Sequence, residues 1–199
     1  MGRPGCLIAS LITVIAGLLP AIQTPVTLAA TPEHYGTDAM LRLDRLPWLF
    51  ADISAVGQSS FDRSGGNGDA GQFLYSGSGE NVMLDLKGAG TVYRIWTTGF
   101  NGTSTIKAYI DGEAEPRLST TIDGLYAGTN APFFSPLSTD KSSGGLVSHV
   151  PIPFKQSIKI TTNGSTNRTY YNIGCHLYMP DADISSWTPS EDVTAARTA

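Results

Sequence analysis

Apolar and polar residues alternate with a period of two along most of the chain between residues 73 and 179. Residues 81–87 (NVMLDLK) place Val82, Leu84 and Leu86 on one face, and residues 91–98 (TVYRIWTT) set Val92, Arg94 and Trp96 against Tyr93, Ile95 and Thr97. Residues 105–111 (TIKAYID) align Ile106, Ala108 and Ile110, with Lys107 and Tyr109 opposite. Residues 157–162 align Ile158 and Ile160, and residues 168–179 line up Tyr171, Ile173, Cys175, Leu177 and Met179. Successive side chains of a strand point to opposite faces, so each run reads as a half-buried strand. Shorter candidates are residues 73–76, 118–122 and 146–154. Pro151 and Pro153 flank Ile152, which marks an edge strand or an irregular start.

Turn chemistry punctuates these runs. KGAG (87–90), DGE (111–113) and TNGS (162–165) supply Gly and Asn where the backbone needs a positive φ. The links at 63–72 and 123–141 are too long for tight hairpins. About eight strands joined in this way predict an all-β fold: an antiparallel β-sandwich of jelly-roll type, its long links crossing between the sheets. Residues 38–50 (DAMLRLDRLPWLF) are the one helix-like piece. They carry Leu41, Leu43, Leu46 and Leu49 and are interrupted by Pro47. That predicts a short N-terminal helix or arm.

The two ends differ from the middle. Arg3, the apolar run from residue 7 to 22 and the small residues before Ala30 read as an export signal over residues 1–30. Pro20 shortens the run below the ~20 apolar residues a membrane span needs. The membrane is then a partner during export alone, and the expected location is secreted, extracellular or in the cell envelope. Removing thirty residues from 199 leaves 169, one ordinary domain, and takes the formal charge from −4 to −5 because Arg3 leaves with them. A jelly-roll domain is expected over residues 31–180. Residues 181–199 are polar and patternless, and read as the start of an interdomain segment or a disordered tail. Trp187 has no evident packing partner there.

A mildly acidic chain without a basic run argues against nucleic acid. Cys6 lies in the signal, so Cys175 is the single cysteine of the mature chain; its apolar alternation reads as a buried, inert thiol. His34, His149 and His176 are isolated, with no metal-ligand spacing, and no cofactor motif is present, so neither metal nor cofactor is expected. Trp96 reads as core on the usual burial of tryptophan, although an exposed ring would offer a surface to a sugar. One of Tyr170 and Tyr171 must point outward.

Residues 59–69 (SSFDRSGGNGD) are the one polar constellation. Three glycines let a ligand approach the backbone, Asp62 and Asp69 accept hydrogen bonds, Arg63 donates a fork and Asn67 does both. That mixture suits sugar hydroxyls. It equally suits a connecting loop in which Asp62 and Arg63 pair locally, and composition alone favours the loop.

Taken in order, LRLDRLPWL, SSFDRSGGNGD, LKGAGTVYRIWTTGF, IKAYIDGE, APFFSPL, SSGG, PIPF and YYNI resemble a bacterial family. It was long called domain of unknown function 2961 and is now placed in glycoside hydrolase family 172. The resemblance runs from about residue 38 to 179. It implies two jelly rolls that assemble as homo-oligomers through their faces. It also implies retaining hydrolysis of α-fructofuranosides or arabinofuranosides by two glutamates standing roughly 5–5.5 Å apart. In the family that pair lies beyond the first jelly roll. Among Glu33, Glu80, Glu113, Glu115 and Glu191 no catalytic pair is assigned, so the catalytic residues are unknown. The glycine-rich loop matches a family motif, which makes Asp62, Arg63, Asn67 and Asp69 candidates for lining or walling a sugar pocket. The chain is thus expected to be the N-terminal jelly-roll half of a secreted glycoside hydrolase-like protein, inactive alone. The alternative is a non-catalytic carbohydrate-binding or oligomer-assembly module.

Overall fold

A computed structural model describes residues 35–45, 50, 52–142 and 144–198. The export signal and Glu33 lie outside the described residues, as do Leu46, Pro47 and Leu49 of the helix-like piece. What is described of that piece forms two short 3₁₀ turns, Gly36–Leu41 and Leu43–Arg45. Among the described residues no helix is long and apolar enough to cross a membrane.

The strands are β1 (Ile53–Ser59), β2 (Tyr75–Gly77), β3 (Glu80–Lys87), β4 (Gly90–Thr98), β5 (Thr105–Ile110) and β6 (Leu118–Thr121). After them come α1 (Ile122–Tyr126), β7 (Thr129–Asn130), β8 (Phe133–Phe134) and β9 (Ser138–Ser142). The chain continues through β10 (Gly145–Ser148), β11 (Ile152–Phe154), β12 (Ser157–Thr162), β13 (Tyr170–Tyr178) and α2 (Thr194–Thr198). One sheet runs β1-β13-β4-β10-β9, with β11 also on β4. The second runs β2-β3-β12-β5-β6.

β10 pairs with residues 95–97 of β4 and β11 with residues 90–92, so they are two halves of one interrupted strand. The break falls at Pro151, where the sequence predicts irregularity, because proline cannot donate to a ladder. Counting that pair as one strand, the long strands divide between the sheets as β1, β13, β4, β10/β11 and β3, β12, β5, β6. All pairings among these strands are antiparallel. This is jelly-roll wiring. Both long links do cross between sheets: β1 to β2, and β6 to β9.

The core fills the space between the sheets. Ile106, Ala108, Ile110, Ile158 and Ile160 face Ile95, Val92, Ile152, Phe154, Tyr171, Ile173 and Cys175, all buried. Burial pushes the Cys175 thiol up to about 12, which keeps it protonated and unreactive. Tyr171 is buried and Tyr170 exposed.

Two β-bulges shift the alternation read from sequence. Between β3 and β12 the register passes from Leu84↔Ile160 to Val82↔Thr161, leaving Met83 without a partner. Met83 enters the core and Val82 turns to the outer face, although strict alternation puts Val82 with Leu84. Between β4 and β13 the register passes from Arg94↔Gly174 to Val92↔Cys175, so Val92 and Ile95 both face inward. Trp96 does not join them. It lies half-buried on the outer face over Gly145, where an added Cβ would stand 2.4 Å from its Nε1.

The segment after β13 packs back on the sandwich. Trp187 is buried near Phe133, with ring centroids 6.3 Å apart, and its backbone N–H donates to Pro153 O (2.8 Å). That bond falls on an edge strand, where a carbonyl is free to accept it. Ile184 covers Ala89 and Tyr178 in a second apolar cluster that also takes in Tyr35.

Candidate functional site

The loop that leaves β1 is built from its own carboxylates. Asp62 Oδ1 accepts from the Ser64 N–H (2.9 Å) and hydroxyl (2.6 Å), while Oδ2 accepts from the Gly68 N–H (3.0 Å). These bonds, the Ser64 hydroxyl first, hold the Asp62 carboxyl below the usual carboxylate range. Asp69 Oδ1 accepts from the Asp62 N–H (2.7 Å) and closes the loop. Arg63 donates to the carbonyls of Gln72 (3.2 Å) and Ser59 (3.3 Å), and its guanidinium lies over the Phe61 ring at 4.8 Å. Asp62 and Arg63 therefore serve the backbone rather than each other.

The base of the loop is fastened to β13. Ser60 N–H donates to Tyr171 O (3.1 Å), Tyr171 N–H to Ser60 Oγ (3.1 Å), and the Tyr171 hydroxyl to Gln72 O (3.0 Å). Phe73 stacks on the same tyrosine ring at 5.7 Å. Gly71 sits at φ +64° with the Thr166 carbonyl oxygen 1.8 Å from where a Cβ would be, so only glycine fits. The four candidate residues thus share one internally hydrogen-bonded, largely exposed loop. Phe61 and Asn67 stand exposed on it.

Of the described glutamates, Glu80, Glu113 and Glu191 line two cavities, and no motif marks either; Glu115 is exposed. Glu80 and Glu113 line one cavity of about 420 Å³ on the outer face of β3, β12 and β5. Glu80 Oε1 accepts from Lys107 Nζ (2.5 Å), its Oε2 accepts from the Thr161 hydroxyl (2.6 Å), and the Tyr109 hydroxyl reaches both oxygens (3.2 and 3.1 Å). Burial opposes the charge, but the bonds from Lys107, Thr161 and Tyr109 outweigh it, and the Glu80 carboxyl titrates below its ordinary value. Glu113 is lowered by the guanidinium of Arg117, which is bonded to it. A retaining glycosidase needs one carboxyl kept protonated near neutral pH. Neither of these meets that need.

Glu191 behaves in the opposite way. It shares a cavity of about 410 Å³ with Tyr35, Thr37, Asp38, Asp183 and Asp192. Burial first, then the charges of Asp38 and Asp192, push its carboxyl up against a single bond from Thr37 (3.4 Å). It joins the segments before β1 and after β13, a role invisible in a tail that looks patternless.

Asp111 was also hidden, read from sequence as a turn residue. With Gly112 it does form the turn, both at positive φ. Its Oδ1 further accepts from the N–H groups of Lys155 (3.0 Å), Gln156 (2.7 Å) and Ser157 (3.3 Å), and its Oδ2 from the Ser186 hydroxyl. Burial resists its charge, but these four donors prevail and its carboxyl is lowered. Among the described residues no group of His, Cys, Asp and Glu is arranged to hold a metal ion.

No curated protein matches the chain. A family model described as the GH172 first beta-sandwich domain matches residues 51–195, or 145 of the 199 residues. The match takes in the polar loop, both sheets of the jelly roll and the returning segment that buries Trp187. The chain therefore belongs to glycoside hydrolase family 172, as the first β-sandwich domain of that family.

Proposed function

We propose that the chain acts as the N-terminal jelly-roll part of a secreted glycoside hydrolase-like protein that works on furanosides, α-fructofuranosides or arabinofuranosides. In this reading the loop at residues 59–69 is a wall of the sugar cleft, and the two reacting glutamates are not among the described residues. The observation that carries it is the loop itself. Within a domain of this family it spends Asp62, Asp69 and Arg63 on its own backbone, and so presents a preformed edge at little entropic cost.

Asn67 and Phe61, exposed on that edge, meet the ligand; Asp62, Arg63 and Asp69 position them. The lowered carboxyls of Glu80 and Glu113 support a chain that does not cut on its own. Association through jelly-roll faces belongs to the same reading and is checked by sedimentation of the purified protein.

The test is kinetic. Asp62→Ala with Arg63→Ala, made in a two-domain member of the family carrying the same loop, should lower turnover of α-furanosyl aryl glycosides while the fold survives. Unchanged kinetics with intact folding removes the loop from the site. Attachment of the mature protein to the cell, or its release, is read by fractionating culture medium and envelope.

A further inference from the structure

The outer face of the second sheet is not a plain solvated face. The bulge at Met83 turns Val82 outward, and with it Glu80 and Thr161, into the cavity of about 420 Å³. A second cavity of about 250 Å³ adjoins it, lined by Asp85, Lys87, Gly112 and Ser157. Both share Tyr75, Tyr109, Glu113 and Lys159, so the two form one groove crossing β2, β3, β12 and β5.

Two aromatic rings stand in it, and each is held by its hydroxyl. Tyr75 donates to Asp85 Oδ2 (2.5 Å) yet stays 51% exposed. Tyr109 donates to Glu80, and Lys159 Nζ lies 4.7 Å from its ring centre. A ring fixed in this way loses little freedom when a ligand stacks on it. Most charges of the groove are already engaged: Glu80 with Lys107, Glu113 with Arg117, Asp85 with the Tyr75 hydroxyl and Lys159 over the Tyr109 ring, while Lys87 stands at one end. Beyond Lys87, a phosphate or a polycation would have to break those contacts, whereas a neutral ligand rich in hydroxyls meets acceptors and donors in alternation. Bulges of this kind commonly re-aim side chains at binding sites.

We propose that this groove is a second saccharide site, stacking a neutral oligosaccharide on Tyr75 beside Tyr109 and Lys159, without cutting it. The site lies apart from the 59–69 loop and depends on none of its residues. Its carboxyls are all engaged as acceptors, so no proton is available to a leaving group, and the bound sugar leaves intact.

Titration calorimetry of the purified chain tests this, with linear arabino-oligosaccharide, inulin-type fructo-oligosaccharide and cello-oligosaccharide as probes. At least one should bind saturably. Tyr75→Ala should weaken it roughly tenfold, the equivalent of losing one stacked ring, and Tyr75→Trp should retain it. Tyr75 is exposed on a short edge strand, so both variants should fold. The loss caused by Tyr75→Ala should be the same in an Asp62→Ala background, which separates this site from the loop of the proposed cleft. Four results overturn the proposal: no heat from any probe at about 10 mM; equal binding by Tyr75→Ala; a Tyr75→Ala effect that vanishes in the Asp62→Ala background; or a fall in oligomeric mass with Tyr75→Ala, which would make the occupant a second copy of the chain.

Discussion

The loop at residues 59–69 and the groove on β2, β3, β12 and β5 are both lined by carboxylates, but these are spent on different partners. Asp62 and Asp69 accept from main-chain N–H groups within seven residues of themselves. Glu80 and Asp85 accept from the side chains of Lys107, Tyr109, Thr161 and Tyr75, brought together by four strands. Carboxylates of the first kind set the path of the backbone. Those of the second kind set the shape and charge of a surface. Substitutions in the loop should therefore act through conformation, and substitutions in the groove through what can bind there.

The sharpest way to break this distinction is at Gly71. A Cβ there meets the Thr166 carbonyl oxygen at 1.8 Å, on a backbone at φ +64°. Gly71→Ala should cost more than about 4 kcal/mol, or prevent folding, because the obstacle is main chain and cannot swing aside. Chemical denaturation checks this, and a stable variant would show that the loop can re-form without its anchor.

Asp111 extends the backbone-serving class to the other end of the sandwich. Asp111→Ala removes the acceptor of three main-chain N–H groups and of Ser186, and forces alanine into left-handed backbone. A loss of roughly 3 kcal/mol in the denaturation free energy is expected. The Asp111 carboxyl is lowered, so its contribution is present above the ordinary aspartate pKa. It fades as the pH falls through the folded value.

Glu191 belongs to neither class, since burial and its acidic neighbours outweigh the one bond it receives. Its contribution has the opposite sign: present below the ordinary glutamate pKa and lost as the pH rises through the raised one. Glu191→Gln should raise the thermal midpoint at pH 7, by a gain under about 1 kcal/mol, and leave it unchanged near pH 4. A midpoint that drops at pH 7 would mean the charged form is needed.

The smallest expected effect on stability lies in the groove. Glu80→Gln keeps the shape and loses a partly exposed ion pair, worth about 0–1 kcal/mol. If it unfolded the protein, the groove carboxylates would be structural and the contrast with the loop would fail.

The same difference explains what could be read from the sequence. The period-two runs gave the strands, and their turns and long links gave a jelly roll, because side-chain alternation and turn chemistry are local. The loop was legible in part for the same reason: its Asp62 and Asp69 bonds close within residues 62–69, whereas its ties through Ser60 and Arg63 to Tyr171 and Gln72 were not. The bulges at Met83 and Tyr93 were not legible, since a bulge depends on the partner strand's register. With the first of them went the position of Val82 and the existence of the groove, whose residues come from positions 75 to 161. Trp96 was misplaced because it packs on Gly145, which lies forty-nine residues further on. The burial of Trp187 depended on an edge carbonyl of Pro153 that no local pattern advertises.

The central proposal is that the described jelly roll presents surfaces to sugar and supplies no reacting acid. It is tested most directly by incubating the purified chain with α-fructofuranosyl and α-arabinofuranosyl aryl glycosides and measuring aglycone release. The account predicts a rate no greater than that of buffer, for the native chain and for Glu80→Gln and Glu113→Gln alike. Release by the native chain that disappears with Glu80→Gln, Glu113→Gln or Glu191→Gln would contradict it.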